Sequence, residues 1–431
     1  MEYEVMRNIY VGDVGVAVAY LQLALKRAGF PIMVDGRFGR ETCNALKEFM
    51  GEGVGCYVDR AVWAKLIPYL KGYTTHVITS GETLWGIANT YDTQVSAILT
   101  ANPSLDAMNL QIGTRIYVPF SFALVDESVP YTSSLTEFIL EGLKVRYPFL
   151  IPGCIGKSVM GREVCYLQFG EGPTQVCYNA CFHANEWITT PILLKFAEAY
   201  AKAYAEGEDL YGEDTEALFN EYSLYLIPMV NPDGADLVNG MIRNEEYVEQ
   251  AMAISSDYPS IPYPDGWKAN MNGIDLNLQF PASWEKAREI KFAQGYTSPA
   301  PRDFVGEAPL TAIESINMYH FTTAHDFQLI LAYHTQGEVI YWKYLDYEPE
   351  RSRRIAEYFG RVSGYQVEET PYASGYAGYK DWFIETYNRP GYTIEAGRGT
   401  NPLSMSQFPG IYADNRLILV GGMTQLRDPE S

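Results

Sequence analysis

The sequence of 431 residues has no apolar run that approaches the roughly 20 residues needed for a membrane-spanning helix. It is also poor in basic residues, because Lys and Arg total 32 against 53 Asp and Glu, a formal net charge of −21. Nucleic-acid binders and proteins that dock on anionic lipid need a cationic surface, so we expect neither nucleic acid nor membrane insertion. What remains, 47% hydrophobic and 20% charged residues, is typical of a globular protein.

Cysteine is sparse, with six residues and no C-x-x-C pair. This number and spacing exclude a disulfide scaffold and a zinc knuckle, and we expect Cys177 and Cys181 to be buried thiols. The segment from Met1 to Arg7 lacks both the basic and the apolar region of a secretion signal peptide.

Residues 1–72 have the pattern of a small helical domain. Val14, Val18, Leu21 and Leu25 recur at helical spacing, and Gly29 follows them. The pattern V-x-x-L-Q-x-x-L, followed by V-D-G-x-F-G-x-x-T, resembles the three-helix peptidoglycan-binding domain family. A generic helical bundle is the alternative interpretation.

Residues 73–120 predict a second small domain with the order strand, helix, helix, strand. It contains G-E-T-L-W-G-I-A early and I-G-T-R-I-Y-V-P at its end. These two motifs resemble the LysM family, which implies binding of glycans that contain N-acetylglucosamine, such as peptidoglycan. Sugar binding of this kind uses shape, backbone hydrogen bonds and apolar contact, so it is compatible with an acidic chain.

Residues 121–431 predict one large α/β domain. Several short apolar runs are separated by helical patterns. Each run ends immediately before a polar residue, and the polar residues are His183, Asn231, His334 and Glu395. Such runs imply a mixed, mostly parallel central sheet flanked by helices. Polar residues at the carboxyl ends of these strands lie where open α/β sheets place their sites.

The sequence predicts a metal site at these strand ends, with His183, Glu186 and His334 as ligands. Two imidazoles and a carboxylate form a three-ligand catalytic zinc site, and we expect one Zn²⁺ per chain. Such a metal lowers the pKa of a water molecule toward ~7 and polarises a carbonyl. Hydrolysis also needs a base that is not a ligand, and Glu395 is the candidate.

The order of these landmarks resembles the zinc metallocarboxypeptidase family. The matching segments are H-x-x-E-W-I-T at 183–189, N-P-D-G at 231–234, G-I-D-L-N at 273–277, His334, and Y-T-I-E at 392–395. The resemblance implies that Glu395 is the general base and acid, and that Asp275 holds the ring of His183. It also implies that Lys268 stabilises the developing oxyanion.

Departures from the family pattern bear on specificity. Asn277 is followed by Leu278, where digestive carboxypeptidases have an arginine that clamps the terminal carboxylate of the substrate. Counting back from Glu395 places Lys380 at the floor of the S1′ pocket, which implies an acidic P1′ residue. Arg398 is a further candidate anion contact, and Tyr372 or, second, Tyr376 is the candidate for the family's mobile substrate tyrosine. Leu278, Lys380 and the two wall-binding modules together resemble the γ-D-glutamyl-meso-diaminopimelate peptidase branch.

We therefore expect a zinc hydrolase that cuts the γ-D-glutamyl–meso-diaminopimelate amide of peptidoglycan stem peptides. Its partners would be these peptides and N-acetylglucosamine-containing glycan. Two alternatives remain: a carboxypeptidase or amide deacylase with another acidic P1′ preference, and a non-catalytic wall-binding or spore-structural protein. The lack of a readable signal peptide leads us to expect a cytoplasmic or spore-associated protein that acts on cell wall.

Overall fold

A computed structural model describes residues 7–51 and 55–427. Within this part of the chain, one compact unit comprises the residues up to 129 together with 134–151, and the other comprises 130–133 with the residues from 152 onward. No helix among the described residues combines the length and the apolar character that crossing a bilayer requires.

The first unit begins with a helical region. Two short strands, β1 (Ile9–Tyr10) and β2 (Tyr57–Val58), pair antiparallel, and the three helices are α1 (Val16–Arg27), α2 (Arg40–Met50) and α3 (Arg60–Lys71). The buried Gln22 side chain holds the turn that follows α1, because its Oε1 accepts from the backbone N–H groups of Asp35 and Gly36 at 3.0 and 2.7 Å. A disulfide joins Cys43 to Cys56, a pairing that the sequence did not suggest.

The predicted βααβ module follows directly. Its strands β3 (Tyr73–Val77) and β4 (Arg115–Pro119) pair antiparallel, and the helices α4 (Leu84–Thr90) and α5 (Val95–Ala101) lie between them in the chain. Thr83 begins α4 by accepting a hydrogen bond from Gly86 N at 3.0 Å, as an N-cap residue does. Ile87, Ile98 and Ile116 are among the buried residues of a small separate core.

Helix α6 (Ser133–Arg146) also packs within this first unit, beyond the domain boundary predicted at residue 120. Glu141 Oε1 accepts from Lys71 Nζ at 2.8 Å and from the Tyr73 hydroxyl at 2.5 Å. Arg146 donates to the carbonyl oxygens of Gly72 and Phe120, both at 2.9 Å. The helix that begins the predicted third domain therefore stabilises the two modules before it.

The second unit is built on one eight-stranded sheet, which confirms the predicted mixed, mostly parallel sheet flanked by helices. The strands are β5 (Ile151–Lys157), β6 (Glu163–Phe169), β7 (Thr174–Ala180), β8 (Tyr222–Ile227), β9 (Phe327–His334), β10 (Val339–Tyr341), β11 (Gln366–Glu368) and β12 (Gly391–Glu395). Their order across the sheet is β11-β10-β12-β9-β7-β8-β6-β5. The four central strands β12, β9, β7 and β8 are mutually parallel.

Helices surround this sheet and bury its central strands. They are α7 (Thr189–Glu206), α8 (Thr215–Glu221), α9 (Pro232–Val238), α10 (Glu245–Ser256), α11 (Trp284–Ala293), α12 (Ile313–Thr323), α13 (Ser352–Ser363), α14 (Tyr379–Tyr387) and α15 (Phe408–Thr424). Cys177 and Cys181 are fully buried beneath them, as expected. The parallel strands bring their carboxyl ends to one edge of the sheet, and the candidate site lies there.

Candidate metal centre and its cavity

His183 and Glu186 lie just beyond the end of β7. A single 3-10 turn, Ala184–Glu186, returns the chain so that both side chains face the same space. Thr189 fixes this turn, because its hydroxyl donates to Glu186 O at 2.7 Å and accepts from Cys181 N at 3.0 Å. Hydrogen bonds within the protein therefore fix both ends of the loop.

His334 and Glu395 come from the two neighbouring strands. His334 is the last residue of β9, Glu395 is the last residue of β12, and these two residues are direct partners in the parallel ladder. The sheet register thus places the candidate base beside one of the candidate ligands.

The three candidate ligands converge on one point. Glu186 Oε1 lies 3.0 Å from His183 Nδ1, Glu186 Oε2 lies 2.9 Å from His334 Nδ1, and the two Nδ1 atoms are 3.2 Å apart. Potential ligand atoms of all three residues lie within 4.8 Å of one another. Two imidazole nitrogens and a carboxylate so arranged fit the donor set of a catalytic zinc ion.

Two charged side chains surround this triad. Asp275 Oδ1 lies 3.0 Å from His183 Nε2, on the far side of the ring from the other ligands, so it orients that ring. Lys268 Nζ lies 2.7 Å from Glu186 Oε1. Burial lowers the pKa of the Lys268 ammonium, but the charge and hydrogen bond of Glu186 together with the charge of Glu395 outweigh it, so the pKa is raised and this lysine stays charged.

The position of Glu186 is further fixed by two residues to which the sequence analysis gave no role. The backbone N–H of Thr335 donates to Glu186 Oε2 at 3.3 Å. Asn401 Nδ2 donates to Glu186 Oε1 at 3.4 Å, and its Oδ1 accepts from the Thr335 hydroxyl at 2.8 Å. Asn401 comes shortly after Glu395, in a segment without regular spacing.

A cavity of about 160 Å³ opens beside the triad, and His183, His334 and Glu395 are part of its wall. Burial raises the pKa of Glu395 above the usual value of a glutamic acid, although the charge of His334 opposes this shift. A raised pKa makes the Glu395 carboxylate a stronger base, which suits a group that must accept a proton.

Lys380 lines this cavity, as its predicted position required, but its charge is neutralised there. Its ammonium lies 2.7 Å from Asp381 Oδ1 and donates to Lys343 O at 2.8 Å and to Thr370 Oγ1 at 3.3 Å. The side chain is only 4% exposed. The Lys380 ammonium therefore has two hydrogen bonds and one close ion pair within the protein.

The remaining predicted substrate residues are placed differently from one another. Asn277 lines the cavity and accepts from Tyr379 N at 3.0 Å. Tyr372 is 63% exposed and packs edge-on against Tyr376, and neither ring belongs to the cavity wall. Arg398 is paired with Glu338 and is also outside the wall.

The cavity wall also contains three charged residues that the sequence analysis did not single out. Lys291, Arg302 and Asp303 line it, and Asp303 accepts from both cations, at 2.5 Å from Lys291 Nζ and 2.6 Å from Arg302 Nε. Arg302 and Asp303 lie in an irregular segment with no helical or strand pattern, so no periodicity marks them.

A zinc hydrolase is the class of protein that this fold and this triad define. The chain belongs to the zinc carboxypeptidase family, whose model matches residues 137–417. It is a zinc metallopeptidase, and the LysM family model matches residues 76–119.

Two curated relatives are similar over most of their length. Gamma-D-glutamyl-L-diamino acid endopeptidase 1 of Lysinibacillus sphaericus is 42% identical over 400 residues, which cover 80% of this chain and 99% of that protein. The uncharacterized protein YqgT of Bacillus subtilis strain 168 is 40% identical over 291 residues, 67% of this chain and 76% of that protein.

A solved structure supports the fold alone. Carboxypeptidase A from Helicoverpa armigera superposes with a TM-score of 0.52 at 16% identity, over 91% of this chain and 96% of that one.

Proposed function

We propose that this metallopeptidase hydrolyses the γ-D-glutamyl–meso-diaminopimelate amide of peptidoglycan stem peptides. The observation that carries the proposal is the convergence of the metal triad, Glu395 and Lys268 on one cavity that also contains cationic side chains. The name of the Lysinibacillus relative supports the bond and the diamino acid. A stem peptide carries several carboxylates, and a cation-lined cavity is complementary to them.

The geometry supports the following catalytic roles. The chemistry that zinc supplies when held by His183, Glu186 and His334 is activation of water and polarisation of a carbonyl. Glu395 accepts the proton of the attacking water and later delivers it to the leaving amino group. Lys268, beside the triad, stabilises the negative charge that develops on the carbonyl oxygen.

We also propose that the modules of the first unit hold the enzyme on the wall. The LysM module would bind N-acetylglucosamine-containing glycan, and the helical region at residues 7–72 would add a second weak contact. Two weak sites on one chain raise avidity for a polymer, but they give no advantage on a small soluble peptide.

Product analysis on L-Ala-γ-D-Glu-meso-diaminopimelate tests this function. Mass spectrometry should show L-Ala-D-Glu and free diaminopimelate, and at least about a hundredfold less of both with the Glu395→Gln variant. A tetrapeptide that also carries a terminal D-Ala distinguishes the rival activity. Release of D-Ala alone would identify a carboxypeptidase and contradict the proposal.

A further inference from the structure

Among the described residues, the Lys and Arg side chains that line the cavity are Lys268, Lys291, Lys380 and Arg302. The ammonium groups of the three lysines are in close contact with protein acceptors. Lys268 is 2.7 Å from Glu186, and Lys291 is 2.5 Å from Asp303. Lys380 donates to Lys343 O and Thr370 Oγ1, and it is paired with Asp381. These lysines are 16%, 9% and 4% exposed, so a substrate carboxylate could reach them only by replacing an internal partner.

Arg302 is the fourth cation, and it is the most open of the four. Its side chain is 41% exposed, and its Nε donates to Asp303 Oδ2 at 2.6 Å. Across residues 7–51 and 55–427, its two terminal nitrogens make no hydrogen bond to the protein. The guanidinium is therefore anchored through Nε, while the nitrogens that form a bidentate fork are available.

The backbone around Arg302 is hydrogen-bonded to the segments that carry Lys268 and Asp275. Pro301 O accepts from the N–H groups of Lys268 and Ala269, at 2.7 and 2.9 Å. On the other side, the Asp303 N–H donates to Asp275 Oδ2 at 3.2 Å, and Asp275 also holds the ring of His183. Arg302 is thus held in a fixed place relative to the metal centre, as a specificity residue must be.

We propose that Arg302 binds a carboxylate of the stem peptide through its two terminal nitrogens. The inference rests on the proposed function and assigns substrate selection to Arg302, with Lys380 as a buried structural cation. A planar guanidinium matches a carboxylate bidentately, and a primary amide at the same place cannot accept both bonds as an anion does. The tripeptide L-Ala-γ-D-Glu-meso-diaminopimelate offers three such groups: the glutamate carboxylate, the main-chain carboxylate of diaminopimelate and its side-chain carboxylate.

The experiment compares kcat/KM for the free tripeptide with that for three derivatives, each with one of these carboxylates converted to the primary amide. The zinc-loaded wild type is measured beside Arg302→Gln and Arg302→Lys. Arg353→Gln is the matched control, because Arg353 is an exposed helix residue, 69% exposed and paired with Glu357, outside the cavity. Zinc content and thermal unfolding of each variant show whether it is folded.

We expect one amide to be a poorer substrate than the free acid by about 10- to 100-fold in the wild type, the range for a hydrogen bond to a charged group. That penalty should shrink to within a few-fold in Arg302→Gln, mainly through KM, and should be partly restored in Arg302→Lys. The affected amide identifies which carboxylate Arg302 binds. Arg353→Gln should keep the wild-type ratios.

Two results would overturn the assignment. If the wild type cuts the tripeptide and all three penalties are the same in Arg302→Gln, the proposed function stands and Arg302 is not the reader. If the wild type does not release diaminopimelate at all, the proposed function fails and this inference fails with it.

Discussion

The two units of this chain differ in where they keep charge. In the second unit, buried charged side chains are numerous among the described residues: Glu186, Asp233, Asp236, Asp275, Lys291, Glu314, Lys380 and Asp381. In the described part of the first unit, Arg146 is the one acidic or basic side chain that is buried. That unit instead exposes large apolar side chains such as Trp85 (72%), Ile112 (70%) and Met108 (94%).

The difference reflects two kinds of work. Burying a charge costs free energy unless it is paired, so a fold that buries several must balance them against one another. In the second unit Glu186 belongs to the metal triad, and Asp275, Lys291, Lys380 and Asp381 line the cavity beside it, where chemistry needs charge away from water. The first unit has small apolar cores and exposes large apolar side chains, which suits contact with a sugar polymer. Each prediction below perturbs one side of this comparison.

The largest expected effect is on the metal. Replacing His334 by Ala removes one of three ligands and leaves Glu186 with fewer partners, so zinc content should fall from about one per chain to near zero. Hydrolysis should fall to background. Elemental analysis after dialysis measures the loss, and His320→Ala, on the exposed face of α12, is the control that should keep its metal. A His334→Ala protein with full zinc would contradict the ligand set.

Glu395→Gln should separate chemistry from metal binding. The amide is similar in size but cannot accept the proton of water, so kcat should fall by about 10²–10⁴, the usual contribution of general-base catalysis. Zinc content should stay at the wild-type level, because Glu395 is not one of the three ligands. The control is Glu357→Gln, an exposed glutamate on α13. Near-normal kcat in Glu395→Gln would assign the base elsewhere.

Lys380→Met should affect stability rather than metal binding. It leaves Asp381 buried without its cation, and breaking a buried ion pair from one side costs roughly 3 kcal/mol in the free energy of unfolding. The double variant Lys380→Met/Asp381→Asn should regain more than half of that loss, because no unpaired charge remains. Urea unfolding of both variants and of the wild type measures the difference. Equal loss in the single and double variants would show that packing, and not charge, is responsible.

How much of this site could be read from the sequence depends on the kind of segment. His183 follows an apolar strand, and His334 and Glu395 are the last residues of theirs. Because parallel strands end at one edge of a sheet, the sequence could place these three residues together. The same apolar strands predicted the fold class, and the motifs at their ends indicated the family; the sheet and the family model confirm both. Arg302 lies in an irregular segment whose position is set by backbone hydrogen bonds to distant residues, and no spacing reveals those.

Lys380 and Cys43 are two further residues whose contacts could not be predicted from the sequence. Lys380 lines the cavity, but the sequence does not state which acceptors its ammonium meets there. The bond between Cys43 and Cys56 joins residues 13 positions apart, and their proximity depends on the fold of the whole helical region.

The smallest expected effect tests the exposed Trp85 ring in the first unit. Leu84, Ile87 and Ala88 are the buried residues of α4, while Trp85 is 72% exposed on the same helix, so removing its ring should leave the module folded. Trp85→Ala should weaken co-sedimentation with insoluble peptidoglycan by about tenfold, which corresponds to about 1.4 kcal/mol of lost apolar contact. Its kcat/KM on the soluble tripeptide should stay within about twofold, because a small peptide gains nothing from avidity. Met252→Ala, an exposed residue of α10 in the second unit, is the matched control and should change neither quantity. If Trp85→Ala instead lowered hydrolysis of the tripeptide as strongly as wall binding, the Trp85 ring would serve the reaction, and the division of work between the two units would be wrong.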